Sequence, residues 1–179
     1  MRKVEREQKR LEATAYHEAG HAVMAHTLGM PMHGASIVAN SDALGHVRFK
    51  KPRWLIFEEL SSEVTPRAQD WIERNIQVAY AGRLTEKMHT GRSSRAGARS
   101  DYEGMADLAL CTCGSPEEAK VFLKWLELRA AAPLGAPRFR VAVEAVAREL
   151  LAQKSLTGRE IKQTIIDGIQ SAVKAAYGE

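Results

Sequence analysis

Apolar residues recur along most of this chain at the three-and-four spacing of a helix, and only one stretch breaks that rhythm. The first helix is predicted from near Lys3 to Leu28, stopping at Gly29 with Pro31 just beyond. Its first half is charged, whereas Ala19 to Ala25 is small and apolar around most of the circumference, the mark of a buried segment. "ASIVANSDALGHVRF" (35–49) changes character, with β-branched and apolar residues flanking Asn40, Ser41 and Asp42. It predicts two short strands in a hairpin. From Lys51 to Val64 the pattern is ambiguous, and "WLIFEEL" reads equally as a short helix or an extended piece. Thr65-Pro66 then supplies an N-cap with proline at the first helical position, opening a long helix to about Met88 whose buried side carries Ile72, Ile76, Ala79 and Tyr80. "GRSSRAGARS" (91–100) has the composition of a mobile loop, and Ser100 with Glu103 predicts a capping box for a helix beginning at Asp101. Ser115-Pro116 with Glu118 repeats that signature for a helix ending near Ala131, followed by the connector "APLGAP". Two more helices are expected, from about Pro137 to Lys154 and, capped by Thr157 with Glu160, to about Tyr177. The expected fold is mainly α, a helical bundle with one small β hairpin, without internal repeats.

Composition narrows the class. The chain has 179 residues, 45% hydrophobic and 27% charged, as expected of one globular domain. Its net charge is +4, yet no RNP motif, zinc finger or Arg/Lys block supports nucleic-acid binding. No run approaches the roughly 18 apolar residues that would insert into a membrane. The charged start "MRKVEREQKRLE" is no secretory signal. Cys111 and Cys113 supply no disulfide framework and read as an ordinary helix-end pair, so a reducing, cytoplasmic setting is expected.

"YHEAGH" (16–21) carries the candidate chemistry. Residues four apart on a helix differ by about 40° and lie about 6 Å apart along the axis, so His17 and His21 can aim at one ion. Zinc prefers such nitrogen ligands in a tetrahedral site. Glu18 sits about 100° round, too far to share the ion closely but near enough to reach a water on it and take its proton during hydrolysis. Met24 and Leu28 lie on the same side, so a core face with two satisfied histidines is the alternative. A catalytic zinc also needs a third protein ligand, which this motif does not supply. His26 points away from His17, and His33, His46 and His89 fall in loops or strands, where surface or structural roles are the plainer reading.

Beyond the motif the sequence resembles a known family. "ATAYHEAGHAVMAHTLGMP" resembles the metal-binding helix of FtsH-type proteases, the membrane-bound AAA zinc metalloproteases, and "GASIVANSDALGHVRF" resembles their β segment beside the active site. "AYAGRLTEKMHTG" is similar to the helix bearing the "GGRAAEE" signature, "GARSDYEGMADLA" to the segment supplying the third ligand, and "ARELLAQKSLTGREIKQTI" to the closing helices. The likeness implies an FtsH-like peptidase fold with the β element beside the metal site, Zn²⁺ held by His17, His21 and Asp101, and Glu18 as catalytic base. Asp101 has modest support of its own, since a carboxylate in the first turn of the predicted helix is favoured by the helix dipole; that favourable charge is also its plain structural reading. Glu73 or Glu86, on the middle helix, are the competing ligands.

Departures from the family pattern are few. His46 and Val47 stand where an aromatic and Thr are usual, Ala81 replaces one glycine of the signature pair, and Ser100 replaces an Asn. The chain has no "GxxxxGK[ST]" nucleotide-binding motif. A peptidase without its own motor reaches only flexible or unfolded polypeptide unless a separate AAA ATPase feeds it in trans. One domain is expected over 1–179, with the metal site in 1–131 and the C-terminal helices in 137–179. Substrate is expected to pair with the strand around Leu44 to Phe49, and the 91–100 loop to border the cleft. Two other readings are a zinc-binding adaptor without catalysis and a protease subunit coupled in trans; a homo-oligomer is implied by the likeness alone.

Overall fold

The computed structural model describes residues 2–39, 45–49, 64–92 and 95–178. The ambiguous stretch before Val64, and the turn at Asn40 to Asp42 with Ala43 and Leu44, lie outside these. In chain order the elements are α1 (Arg2–Thr27), β1 (Met32–Ser36), β2 (His46–Phe49), α2 (Pro66–Thr90), α3 (Arg95–Leu110), α4 (Pro116–Leu134), α5 (Pro137–Gln153), β3 (Ser155–Thr157) and α6 (Gly158–Tyr177).

α1 organises the bundle, lying between α2 and α5. Its charged first turns are exposed, and every residue from His17 to Ala25 is buried, as the all-round apolar pattern implies. The helix ends at Thr27, and Gly29 takes a left-handed φ of 69° that only glycine adopts without strain, turning the chain into β1. α1 and α2 approach closely because Gly20 has no side chain: a Cβ there would lie 2.7 Å from the Ala81 carbonyl oxygen and closer still to the Thr85 hydroxyl. Ala81, fully buried at this crossing, still fits. α4 packs on α2, and α6 on α5. One apolar cluster runs through all of them, from Met24, Ile72 and Ile76 to Leu126, Leu150, Ile161 and Ile165.

The capped starts of α2, α4 and α6 are as predicted: Thr65, Ser115 and Thr157 each accept a backbone N–H three residues on. On the buried side of α2, Ile72, Ile76 and Tyr80 are buried, whereas Ala79 is only half-buried.

Other elements differ from expectation. The sheet has three antiparallel strands in the order β2-β1-β3, with Ala35 opposite both Val47 and Leu156. β1 begins three residues earlier than the β-branched run suggests. β3, only three residues long, has no periodic signature of its own and exists because β1 offers it a free edge. The stretch 91–100 is a loop only at its start, since α3 already begins at Arg95. The alanines and arginines there are good helix formers, and Ser100 with Glu103 sits inside the helix instead of capping it. Asp101 is therefore in the second turn of α3, and the first-turn dipole argument for it lapses. α4 runs through Pro133 to Leu134; the proline gives up its i−4 hydrogen bond there, and burial of Leu134, 2% exposed, offsets part of that cost. "APLGAP" thereby shrinks to Gly135 and Ala136.

Candidate metal centre

His17 and His21 project from the buried middle of α1 with their rings edge-to-face at 4.6 Å. Each Nδ1 is occupied. That of His17 lies 3.1 Å from the Glu86 carboxylate of α2, and that of His21 donates to the Val78 carbonyl at 2.7 Å. These partners hold the proton on Nδ1 and leave both Nε2 lone pairs for the site. α3 brings Asp101 to the same point, its Oδ2 3.1 Å from His17 Nε2 and 3.5 Å from His21 Nε2. The three ligand atoms all lie within 4.8 Å of one another.

Two lone pairs and a carboxylate oxygen cannot share that space without a positive charge between them. A proton can provide it. Burial works against a charged His17, but the bonds to Asp101 and Glu86, with the charge of Glu18, outweigh burial and raise the imidazole to about 10. Asp101 shows the reverse: burial pushes up, and the two histidines overcome it and hold the carboxyl well below its usual range. A divalent cation neutralises the same cluster by displacing that proton. Two imidazole nitrogens and one carboxylate oxygen are a donor set suited to zinc. Space is kept for them by Gly82 of α2, where a Cβ would stand 2.9 Å from His17 Nε2 and even closer to His21 Nε2.

Glu18 is buried close to the ligand cluster without joining it. It is 5% exposed, and its Oε2 has no hydrogen-bond partner among the described residues. Burial raises its carboxyl, the two histidines pull the other way, and Asp101 adds to the rise. Gly45, leading into β2, presses on it: a Cβ there would be 2.8 Å from Glu18 Oε1.

The structure thus brings together His17, Glu18, His21 and Asp101, as the sequence suggests. On the same side of α1, Met24 is fully buried and Leu28 half-buried beyond the histidines. Neither competing acid joins the cluster. Glu86 stands behind His17, and Glu73 takes a hydrogen bond from Gln69 and pairs with Arg129 at 3.7 Å. His33 is exposed, and His89 stacks on Tyr16. Cys111 and Cys113 follow the end of α3 as free thiols. Sequence reasoning missed the roles of Val78, Gly82 and Glu86. Their signal was present as an i, i+4, i+8 stripe on α2, matched to the i, i+4 histidines of α1.

The model of Peptidase family M41 matches residues 2–112, more than half of the chain. The chain belongs to peptidase family M41. It is 32% identical over 111 residues to the ATP-dependent zinc metalloprotease FtsH of Rickettsia felis, covering 60% of this chain and 16% of that protein. It is 33% identical over 113 residues to the ATP-dependent zinc metalloprotease YME1L1 of Rattus norvegicus, covering 60% and 14%. FtsH of Haemophilus influenzae gives 33% over 104 residues, 56% of this chain and 15% of that one. The M41 chain thus spans about a sixth of the length of the curated relatives it matches. All four clustered residues lie in the matched part, and α4 to α6 lie beyond it. Kinship with zinc metalloproteases supports a protease as the broad assignment. Among the described residues no helix is long and apolar enough to cross a membrane.

Proposed function

We propose that this M41 chain is a zinc-dependent endopeptidase acting on unfolded or flexible polypeptide, with Zn²⁺ held by His17 Nε2, His21 Nε2 and Asp101 Oδ2. The observation that carries this reading is the meeting of Asp101 with two imidazoles of α1, one of them 84 positions away in sequence. Zinc supplies there a Lewis acid that polarises the scissile carbonyl and acidifies water. Glu18 does the proton work. Its buried Oε2 takes a proton as water oxygen bonds to the carbonyl carbon, and returns it to the nitrogen when the C–N bond breaks. Burial raises this carboxyl and makes it a stronger base towards the water proton, and the departing amine, more basic than any carboxylate, still recovers that proton. Glu86 and the Val78 carbonyl orient the imidazoles, and Gly82 leaves them room. The chain acts as a single domain, with residues 1–131 carrying the site and 137–179 bracing it through the contact of α5 with α1, and a reducing, cytoplasmic setting suits its free thiols.

The test is metal content and cleavage of casein by purified protein. One zinc per chain is expected, retained in Glu18→Gln while cleavage is lost, and lost in Asp101→Ala. Full cleavage by Glu18→Gln would refute the mechanism, and bound zinc without any cleavage by the native chain would leave the adaptor reading.

A second reading is a peptidase fed in trans by a separate ATPase, prompted by relatives that are named ATP-dependent. ATP-stimulated degradation in lysate, absent with pure protein, distinguishes it. Self-association into rings rests on kinship and is checked by light scattering.

A further inference from the structure

β2 is the edge of the sheet. Its one strand neighbour is β1, and among the described residues its other side has no strand partner. An edge presents unpaired N–H and C=O groups that an extended chain can complete. The end of β2 nearest the site is fixed by the contact of Gly45 with Glu18, so a strand added there runs directly past the candidate base.

Side chains alternate along such an edge. Val47 and Phe49 turn inward and pack on the core, opposite the buried Ala35 in the case of Val47. His46 and Arg48 therefore share the other face. Arg48 is exposed, with its charge available to a neighbour. His46 is half-buried, and its Nδ1 is buried without a hydrogen-bond partner. That nitrogen is out of reach of solvent and of any ligand at the strand face. Arg48 is therefore the residue that presents a charge to whatever lies across the strand, with the half-buried His46 ring beside it.

We infer that this face of β2 selects substrate segments with Asp or Glu across from Arg48. The inference rests on the proposed peptidase reading and adds to it a substrate class. Cross-strand pairs of opposite charge favour one another. Because Gly45 abuts Glu18, the acidic position falls within about four residues of the scissile bond and on one side of it.

Two measurements test this. Cut sites of the zinc-loaded chain on a library of denatured proteins, read by mass spectrometry, are expected to be enriched in Asp or Glu on one side. Binding of labelled unfolded peptides to Glu18→Gln, read by anisotropy, is expected to weaken about two- to five-fold when the acidic residue becomes its amide. The difference shrinks as salt is raised. Arg48→Glu, with its zinc content and circular dichroism checked against the parent, turns the preference towards lysine-bearing peptides. Cleavage without acidic enrichment, or equal binding of acid and amide peptides, overturns the inference while leaving the peptidase reading intact. Preferential binding by a native chain that cleaves nothing supports the inference and sinks the peptidase reading.

Discussion

At the scale of single residues, the site depends on groups that do not themselves touch the reacting atoms. Glu86 is 4% exposed and takes the Nδ1 side of His17, so its loss frees the ring and orphans a buried donor. Glu86→Leu is expected to lower zinc affinity by about 10- to 100-fold, measured by competition with a chelating dye. Gly82→Ala places a methyl group against both Nε2 atoms. The expected outcome is loss of zinc with the helical circular dichroism retained, because alanine is the better helix former. The histidine pair and Glu18 were legible from spacing alone, since helical geometry brings positions 17 and 21 onto one face wherever the helix lies. Nothing local distinguishes Glu86, an ion-ligand candidate by type, from the outer partner that it is. Only the closeness of α1 and α2 assigns it that position.

Among the elements, α6 offers the clearest physical handle. Thr157 and Glu160 form a reciprocal cap, with the Glu160 carboxylate accepting the Thr157 backbone N–H at 2.7 Å. That bond, with the Thr157 hydroxyl, holds Glu160 below its ordinary value. A carboxyl lowered on folding stabilises the fold above the unfolded-state carboxylate range, and the contribution disappears as pH falls through the folded value. Urea unfolding of the native chain and Glu160→Gln is therefore expected to differ at pH 7 and to converge as pH falls below the usual carboxylate range. Removing the cap hydroxyl with Thr157→Ala is expected to cost about 1 kcal/mol at neutral pH. Capped helix starts were readable in sequence because cap and partner are three residues apart. α3 was misread because Ser100 and Glu103 have the same spacing in mid-helix, where the preceding turn already bonds the backbone groups a cap would serve.

For the molecule as a whole, the proposed metal site ties stability to zinc. Asp101 on α3 and the histidines on α1 come together only when α2 packs against both, so zinc is expected to bind the folded state and stabilise it. At 100-fold excess of free zinc over Kd the gain is about 2.7 kcal/mol, seen as a rise in Tm that Asp101→Ala abolishes. Leu126, fully buried at the contact of α4 with the core, tests the frame from the far side. Leu126→Ala is expected to destabilise by about 2–5 kcal/mol in urea titration, independently of added metal. The amino-acid sequence by itself determined the helices, their caps and the paired imidazoles, because hydrogen-bond and side-chain periodicities act within a few residues. Tertiary structure alone decided that β3 exists, that Glu86 stands behind His17, that Gly82 leaves room for the rings, and that Asp101 closes the cluster. Each of those depends on separations of tens of residues or more, which the packing of α1 and α3 against α2 and the pairing of β1 with β3 convert into a few ångströms.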